Sequence, residues 1–211
     1  IRDSNPSSGL GDVYKSQTNN STNAGAGIYA EKISIFSTIM SLFEGNRANI
    51  IGGGIYAKET KYVRNIRTVF IGNSAKGGAA HSSRSVSLTV NILCMYHANI
   101  VSIVGGAIYS REDELFYNYL SKFRENKALE TNGGVFDVYK INTLSINQSN
   151  FQLNYAEKDG GAINVINMKK FHSIHCFFKQ NSANRNGGAV HVKSGMFLSN
   201  INSSFYHNKG I

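Results

Sequence analysis

The chain has 211 residues, 41% of them hydrophobic and 17% charged, and carries a formal net charge of +9. It contains no run of about 18 apolar residues, so no transmembrane helix is expected, and its two cysteines are too few for a disulfide framework and not spaced as zinc ligands. The positive charge favours anionic partners such as acidic glycans, lipid headgroups or nucleic acid.

Residues 1–24 are polar and rich in Ser, Asn and Thr, and Asn5-Pro6 with Ser7-Ser8-Gly9 reads as turn or coil. They form either a polar N-terminal stretch or a degenerate first coil, with Val13 and Tyr14 near the place of an aromatic landmark. From residue 25 to 211 one plan repeats. Small residues open each unit at Gly25, Gly52, Gly77, Gly105, Gly133, Gly160 and Gly187, at intervals of 27, 25, 28, 28, 27 and 27 residues. Eighteen residues after the first glycine stand Phe43, Phe70, Phe123, Phe151, Phe178 and Phe205. In the third unit the step is 17, to Cys94. Three residues further on come Asn46, Asn73, His97, Asn126, Asn154, Asn181 and Asn208. A fixed period of this size marks a repeat architecture.

Within a unit, positions three and five after the glycine are Ile28/Ala30, Ile55/Ala57, Ala80/Ser82, Ile108/Ser110, Phe136/Val138, Ile163/Val165 and Val190/Val192. Such period-two alternation is a strand, with these residues inward. The outward residue between them is Tyr29, Tyr56, His81, Tyr109, Asp137, Asn164 or His191. A second segment leads to the landmark and is read as inward at Ile39, Ile66, Val90, Tyr119, Asn147, Ile174 and Ile201. Short strands and an absence of helical periodicity predict an all-β solenoid of about 7 to 8 parallel coils, each of about 27 residues. Glycines would turn corners, stacked Phe rings fill the interior, and aligned Asn residues pass hydrogen bonds between coils at left-handed corners. The spacer between Asn and the next Gly varies from three residues to seven, which places it on a surface loop.

Gly105-Gly106-Ala107-Ile108, Gly160-Gly161-Ala162-Ile163 and the recurrent Phe-x-x-Asn quartets resemble the repeat signature of the polymorphic outer membrane proteins of chlamydiae. The resemblance spans roughly residues 25–208. It implies a right-handed parallel β-helix used as an adhesin or surface passenger, hence an extracellular or cell-surface location. The chain opens at Ile1 and stops at Ile211, shortly after a landmark Asn, and reads as a segment of a longer protein.

Catalysis on such a scaffold needs acids gathered on one face. The chain has five Asp and eight Glu, and Asp137, Asp159 and the Asp113–Glu114 pair fall in different parts of the repeat. We therefore expect no enzyme, no cofactor and no catalytic site. His81, His97, His191 and His207 read as corner and surface residues, not metal ligands. Cys94 and Cys176 point inward three rungs apart, roughly 14 Å at the usual strand spacing, as free thiols. A candidate stripe for anionic ligands runs along one edge through Lys32, Lys58, Arg84, Arg111, Lys140 and Lys193, although Glu31, Glu59 and Glu112 dilute it. Candidate glycosylation sequons begin at Asn19, Asn20 and Asn202, while the one at Asn147 falls on an inward position. The expected partners are acidic glycans or cell-surface components, and neighbouring repeats or subunits at open solenoid ends. No nucleic-acid module accompanies the charge. The sequence supports a surface scaffold for adhesion or assembly. A filament or coat subunit is the alternative, and a carbohydrate-active enzyme a more distant one.

Overall fold

The computed structural model describes residues 15–211, and Val13 and Tyr14 lie outside them. The described residues are all-β, without a helix, and every strand pairing is parallel. The chain winds through about seven turns, and each turn contributes to three sheets of eight, seven and eleven strands. The eight-stranded sheet runs from Lys15–Gln17 to Ser204–Tyr206 and carries the aromatic landmarks. The seven-stranded sheet runs from Asn20–Ser21 to Ser182–Ala183. The eleven-stranded sheet begins at Ile28–Glu31 and Ile35–Ile39 and ends in three twelve-residue strands, Phe136–Asn147, Ile163–Ile174 and Val190–Ile201. Residues 15–24 supply a strand to each of the first two sheets, with Ser16 opposite Phe43 in the landmark column.

The landmark rings form one continuous stack. Phe43, Phe70, Tyr96, Phe123, Phe151, Phe178 and Phe205 follow one another with centroids 4.6–5.1 Å apart and planes within 18° of parallel. Near-parallel rings at this spacing are offset-stacked, and each fully buried ring contributes roughly 1.5–3 kcal/mol. Beside them runs the amide ladder of Asn19, Asn46, Asn73, Asn99, Asn126, Asn154, Asn181 and Asn208. Each Nδ2 donates to the Oδ1 of the next coil's Asn at 2.8–3.1 Å. From Asn46 onward each Nδ2 also donates to the landmark carbonyl of the preceding coil.

The third repeat is in register, contrary to the spacing read from Gly77. Its left-handed corner glycine is Gly78, at φ 51°, the counterpart of Gly52 and Gly105. From Gly78 the step of eighteen reaches Tyr96, which pairs with Phe70 and Phe123, and three residues later Asn99 continues the ladder. Cys94 and His97 are therefore not landmarks. With this register the spacers between Asn and Gly become nearly constant. They form the seven-stranded sheet rather than a variable loop, with Ala48, Ala75, Val101, Ala128, Ala156 and Ala183 buried in its inward column.

Two further expectations fail for one reason. The ladder asparagines do not occupy the left-handed corners; residues such as Gly45, Ala98, Glu125 and Leu153, one position earlier, do. Another left-handed residue, exemplified by Met40, Leu93 and Leu120, follows the strand that leads to the landmark. Its N–H still donates to the next coil, as in Met40 N to Ile66 O at 2.9 Å, so the chain turns without leaving the parallel ladder. A left-handed residue also interrupts the in–out alternation. Ile39, Ile66, Ile92, Tyr119, Asn147, Ile174 and Ile201 consequently face outward, and Ile39 is 52% exposed. The inward position lies two residues further on, at Ser41, Thr68, Cys94, Ser121, Ser149, Cys176 and Ser203. These hydroxyls and thiols donate back to the carbonyl two residues earlier and so close the turn. Cys94 and Cys176 share this column, both buried and free.

Candidate functional site

The framework columns face inward and their hydrogen bonds are directed within the solenoid, which leaves the outer columns, here those of the eleven-stranded sheet, as candidate contact surfaces. Three adjoin one another. The first is the outward position of the strand after each corner: Tyr29, Tyr56, Ser82, Tyr109, Asp137, Asn164 and His191 in register. His81 is not among them. It sits one position earlier, opposite Ile55 and Ile108, fully buried, and burial lowers its pKa to about 4.

This column is partly roofed by the glycine corners, which explains why outward residues such as Tyr56 and Asn164 are buried. It carries a polar chain across three coils. His191 Nδ1 lies 2.8 Å from Asn164 Oδ1, and Asn164 Nδ2 donates to Asp137 Oδ1 at 2.7 Å. Burial pushes the Asp137 carboxyl up to about 6 against those hydrogen bonds.

The six bases of the expected anionic-ligand stripe divide into two neighbouring columns. Lys58, Arg84, Arg111 and Lys193 share one with Glu31, Tyr139 and Ile166. Lys32 and Lys140 occupy the left-handed corner next to it, with Glu59 and Glu112. The acids bind the bases directly. Lys58 meets Glu31 at 2.5 Å and Glu59 at 3.3 Å, Lys32 meets Glu59 at 3.9 Å, and Glu112 lies between Arg84 and Arg111 at 3.8 and 3.3 Å. Hydrogen bonds from Lys58 and Tyr29 lower the Glu31 pKa. Lys140 instead rests against the Tyr139 ring, 5.3 Å from its centroid, and Arg111 approaches the same ring at 5.7 Å. Coils one to four thus present a laced ion-pair edge, whereas Lys140 and Lys193 extend it with no carboxylate in salt-bridge range among the described residues.

The third outer surface mixes exposed apolar residues with polar ones such as Arg64, Ser145 and His172. Ile35, Ile39, Tyr117, Tyr119, Phe197 and Ile201 are each at least 40% exposed on the strands that lead to the landmarks. Sequence reasoning assigned part of this face to the core, because alternation alone does not reveal the left-handed residue that reverses it.

The acids do not assemble. Asp113 faces inward and accepts from Ser83, Ser110 and the Val86 N–H, with burial raising its pKa to about 6. Asp159 is held by Arg185 at 2.5 Å and by Asn186, hydrogen bonds that take its pKa down to about 2 against the opposing effect of burial. Among the described residues no group of three or more His, Cys, Asp or Glu is placed to hold a metal ion. Of the sequons, Asn20 and Asn202 are exposed, whereas the Asn19 amide is engaged with Ser16 and Asn46. Asn147 belongs to the outward column, although its Oδ1 is buried without a protein partner.

A family model of the Chlamydia polymorphic membrane protein repeat matches residues 41–58 and 175–193. No curated protein and no solved structure matches the chain. Both matched stretches begin at the turn before a landmark, pass through the ring, the ladder Asn and the inward Ala, and end on the strand after the glycine corner. Register pairing places the corresponding residues of the other coils on the same columns. The chain is a parallel β-solenoid, and two stretches of it match the repeat of the Chlamydia polymorphic membrane proteins.

Proposed function

We propose that the chain is a non-catalytic scaffold of the cell surface or extracellular space, which acts in adhesion or assembly by presenting its outer columns along a rigid rod. One observation carries this reading. Both stretches matched by the repeat family run through the inward columns that hold coil to coil, the ring, the ladder Asn, the inward Ala and the glycine corner, while the outer columns change chemistry from coil to coil. A polymorphic membrane protein repeat supports a surface location. At about 4.8 Å per rung, seven turns give a rod on the order of 35 Å, and weak contacts repeated along it act multivalently.

The edge through Arg111, Lys140 and Lys193 is the proposed contact for acidic glycans. The test is binding to immobilised heparin-like and sialylated glycans at low salt. Reversal of all three charges to Glu should abolish retention, and unchanged retention overturns the assignment. In a secreted chain Asn20 and Asn202 are the acceptors expected to carry glycans, which intact-mass measurement reads directly.

The alternative is a filament or coat subunit, in which the parallel coil-to-coil pairing would continue through neighbouring repeats or a second copy. End-to-end polymers in solution favour this alternative, and monomers favour the adhesin.

A further inference from the structure

We infer that the interior of the third coil is a water-binding site, where buried water is held among His81, Thr89, Asn91 and Tyr96 and reaches Asn118 of the fourth coil. Three inward columns change character in this one layer. His81 stands where its neighbours are Ile55 and Ile108, Thr89 where they are Val63 and Phe116, and Tyr96 where they are Phe70 and Phe123. All three are fully buried. Placing three polar groups in one cross-section of an otherwise apolar stack has no packing rationale of its own, since the same columns accept apolar residues immediately above and below.

The polar atoms are left unmatched in a complementary way. His81 Nε2, Thr89 Oγ1, Asn91 Nδ2, Tyr96 OH and Asn118 Oδ1 are buried and have no hydrogen-bond partner among the described residues. Native interiors rarely leave such groups unpaired, and ordered water is their usual partner. An inner amide column shows where the pairing stops. Asn65 Nδ2 donates to Asn91 Oδ1 at 2.8 Å, but Asn118, next in that column, turns its own Nδ2 to Ser149 Oγ at 2.9 Å. A donor on Asn91 and an acceptor on Asn118 therefore remain on successive coils. Asn65 Nδ2 also lies 3.4 Å from His81 Nδ1, an amide donor that assigns the imidazole proton to Nε2. The inventory is two donors, one acceptor and two hydroxyls able to act as either, which water satisfies with its two donors and two acceptors.

The Tyr96 hydroxyl fixes the depth of the site. Its ring lies within the aromatic stack, 4.7 Å from Phe70 and 5.1 Å from Phe123, so the hydroxyl projects beyond the edge of the phenylalanine column. Phe136 and Phe151, the residues at the columns of His81 and Tyr96 two coils further on, have centroids 6.2 Å apart. His81 and Tyr96 thus occupy neighbouring places in one layer.

The test is a crystal structure of the whole chain at a resolution that shows ordered water, together with oxygen-17 relaxation dispersion to count long-lived internal water in solution. We expect at least one water within hydrogen-bond distance of two or more of these five atoms, and a slow water population. His81→Ile, Thr89→Val and Tyr96→Phe together, each copying an adjacent coil, should remove that population. If the triple variant does not fold, the parent crystal and its relaxation decide the question alone. Direct pairing of the five atoms without water overturns the inference, as does an ion or organic molecule in their midst.

Discussion

Asn126→Ala isolates the contribution of the amide ladder. The Asn126 side chain makes four hydrogen bonds: Oδ1 accepts from Asn99 N and Asn99 Nδ2, and Nδ2 donates to Tyr96 O and Asn154 Oδ1, all at 2.9–3.1 Å. It is completely buried, so water cannot replace the lost partners. At about 1 kcal/mol per bond the four lost bonds cost about 4 kcal/mol, and leaving the Asn99 N–H without its acceptor adds a further 1–3 kcal/mol, so the substitution should cost about 5–7 kcal/mol. That is a large share of the roughly 5–15 kcal/mol that holds an ordinary domain together. Urea unfolding followed by circular dichroism measures it. Asn150→Ala is the control, because Asn150 is exposed on the next coil, opposite Lys122 in the eight-stranded sheet, and should change stability by about 0.5 kcal/mol or less. Asn126→Asp adds a second check. A carboxylate facing the Tyr96 carbonyl and the Asn154 Oδ1 has a raised folded-state pKa, so the variant should recover stability as pH falls. If Asn126→Ala costs no more than Asn150→Ala, the ladder does not stabilise the solenoid and the reasoning fails.

Buried titratable groups give opposite pH signatures. Neutral His81, with its pKa lowered to about 4, contributes stability that is complete above about pH 6.5 and lost as pH falls through 4, so His81→Ile should flatten that decline in urea midpoints. Asp113, raised to about 6, contributes stability that is complete below about pH 4 and lost as pH rises through 6. Asp113→Asn should remove that slope, and an unchanged slope would reassign it. A Cβ on Gly134 would lie 2.3 Å from the Gly161 carbonyl oxygen of the next coil, whereas one on Gly72 meets nothing within 4 Å and bears only the strain of φ +60°. Gly72→Ala should therefore cost about 1–2 kcal/mol and Gly134→Ala clearly more; equal thermal shifts would contradict the rung spacing. Cys94 and Cys176 should resist an aromatic disulfide reagent until denaturant is added, because both are buried and burial lifts the Cys94 thiol to about 11. Rapid labelling of the native chain would show that the coils open.

The sequence makes the fold legible through redundancy: seven copies of Gly, an aromatic ring and Asn at fixed offsets define a period, a core column and a ladder. The errors fall where one copy is ambiguous. Gly77 and Gly78 are adjacent glycines, and only backbone conformation distinguishes the residue that turns the corner from the residue before it. Choosing Gly77 displaced every assignment in that coil by one or two residues, moving His81 to the surface and Cys94 into the landmark column. The information to correct it was present in Tyr96, Asn99 and Val101, which restore Phe-x-x-Asn-x-Ala in a conservative form. The outward-facing isoleucines were a different kind of miss. Left-handed residues at these turns include Met40, Arg67, Leu93, Leu120, Gln148 and His175, which share no side-chain chemistry to announce the conformation. The indirect signal was the hydroxyl or thiol that follows each of them. The candidate binding columns were legible as positions but not as chemistry, because ion pairing between coils depends on which acid stacks beside which base.

Inside and outside in this solenoid are not divided by polarity. Asn46, Asn65, Asn73 and Asn99 lie in the interior, while Ile35, Ile39, Tyr117 and Tyr119 face solvent. A globular core sorted in this way would be unstable, because each buried polar group would lose water for nothing. Here stacking supplies the partner: a polar residue repeated on successive coils meets its own kind at one strand spacing and hydrogen-bonds along the rod, as the ladder of Asn46, Asn73 and Asn99 does. Stability then depends on matching neighbouring coils rather than on hydrophobic sorting, and the outer face is released from the need to be uniformly polar. The exposed isoleucines and tyrosines can persist there without disturbing the ladder, and substitutions among them can alter what the rod contacts while leaving the columns that hold it together intact.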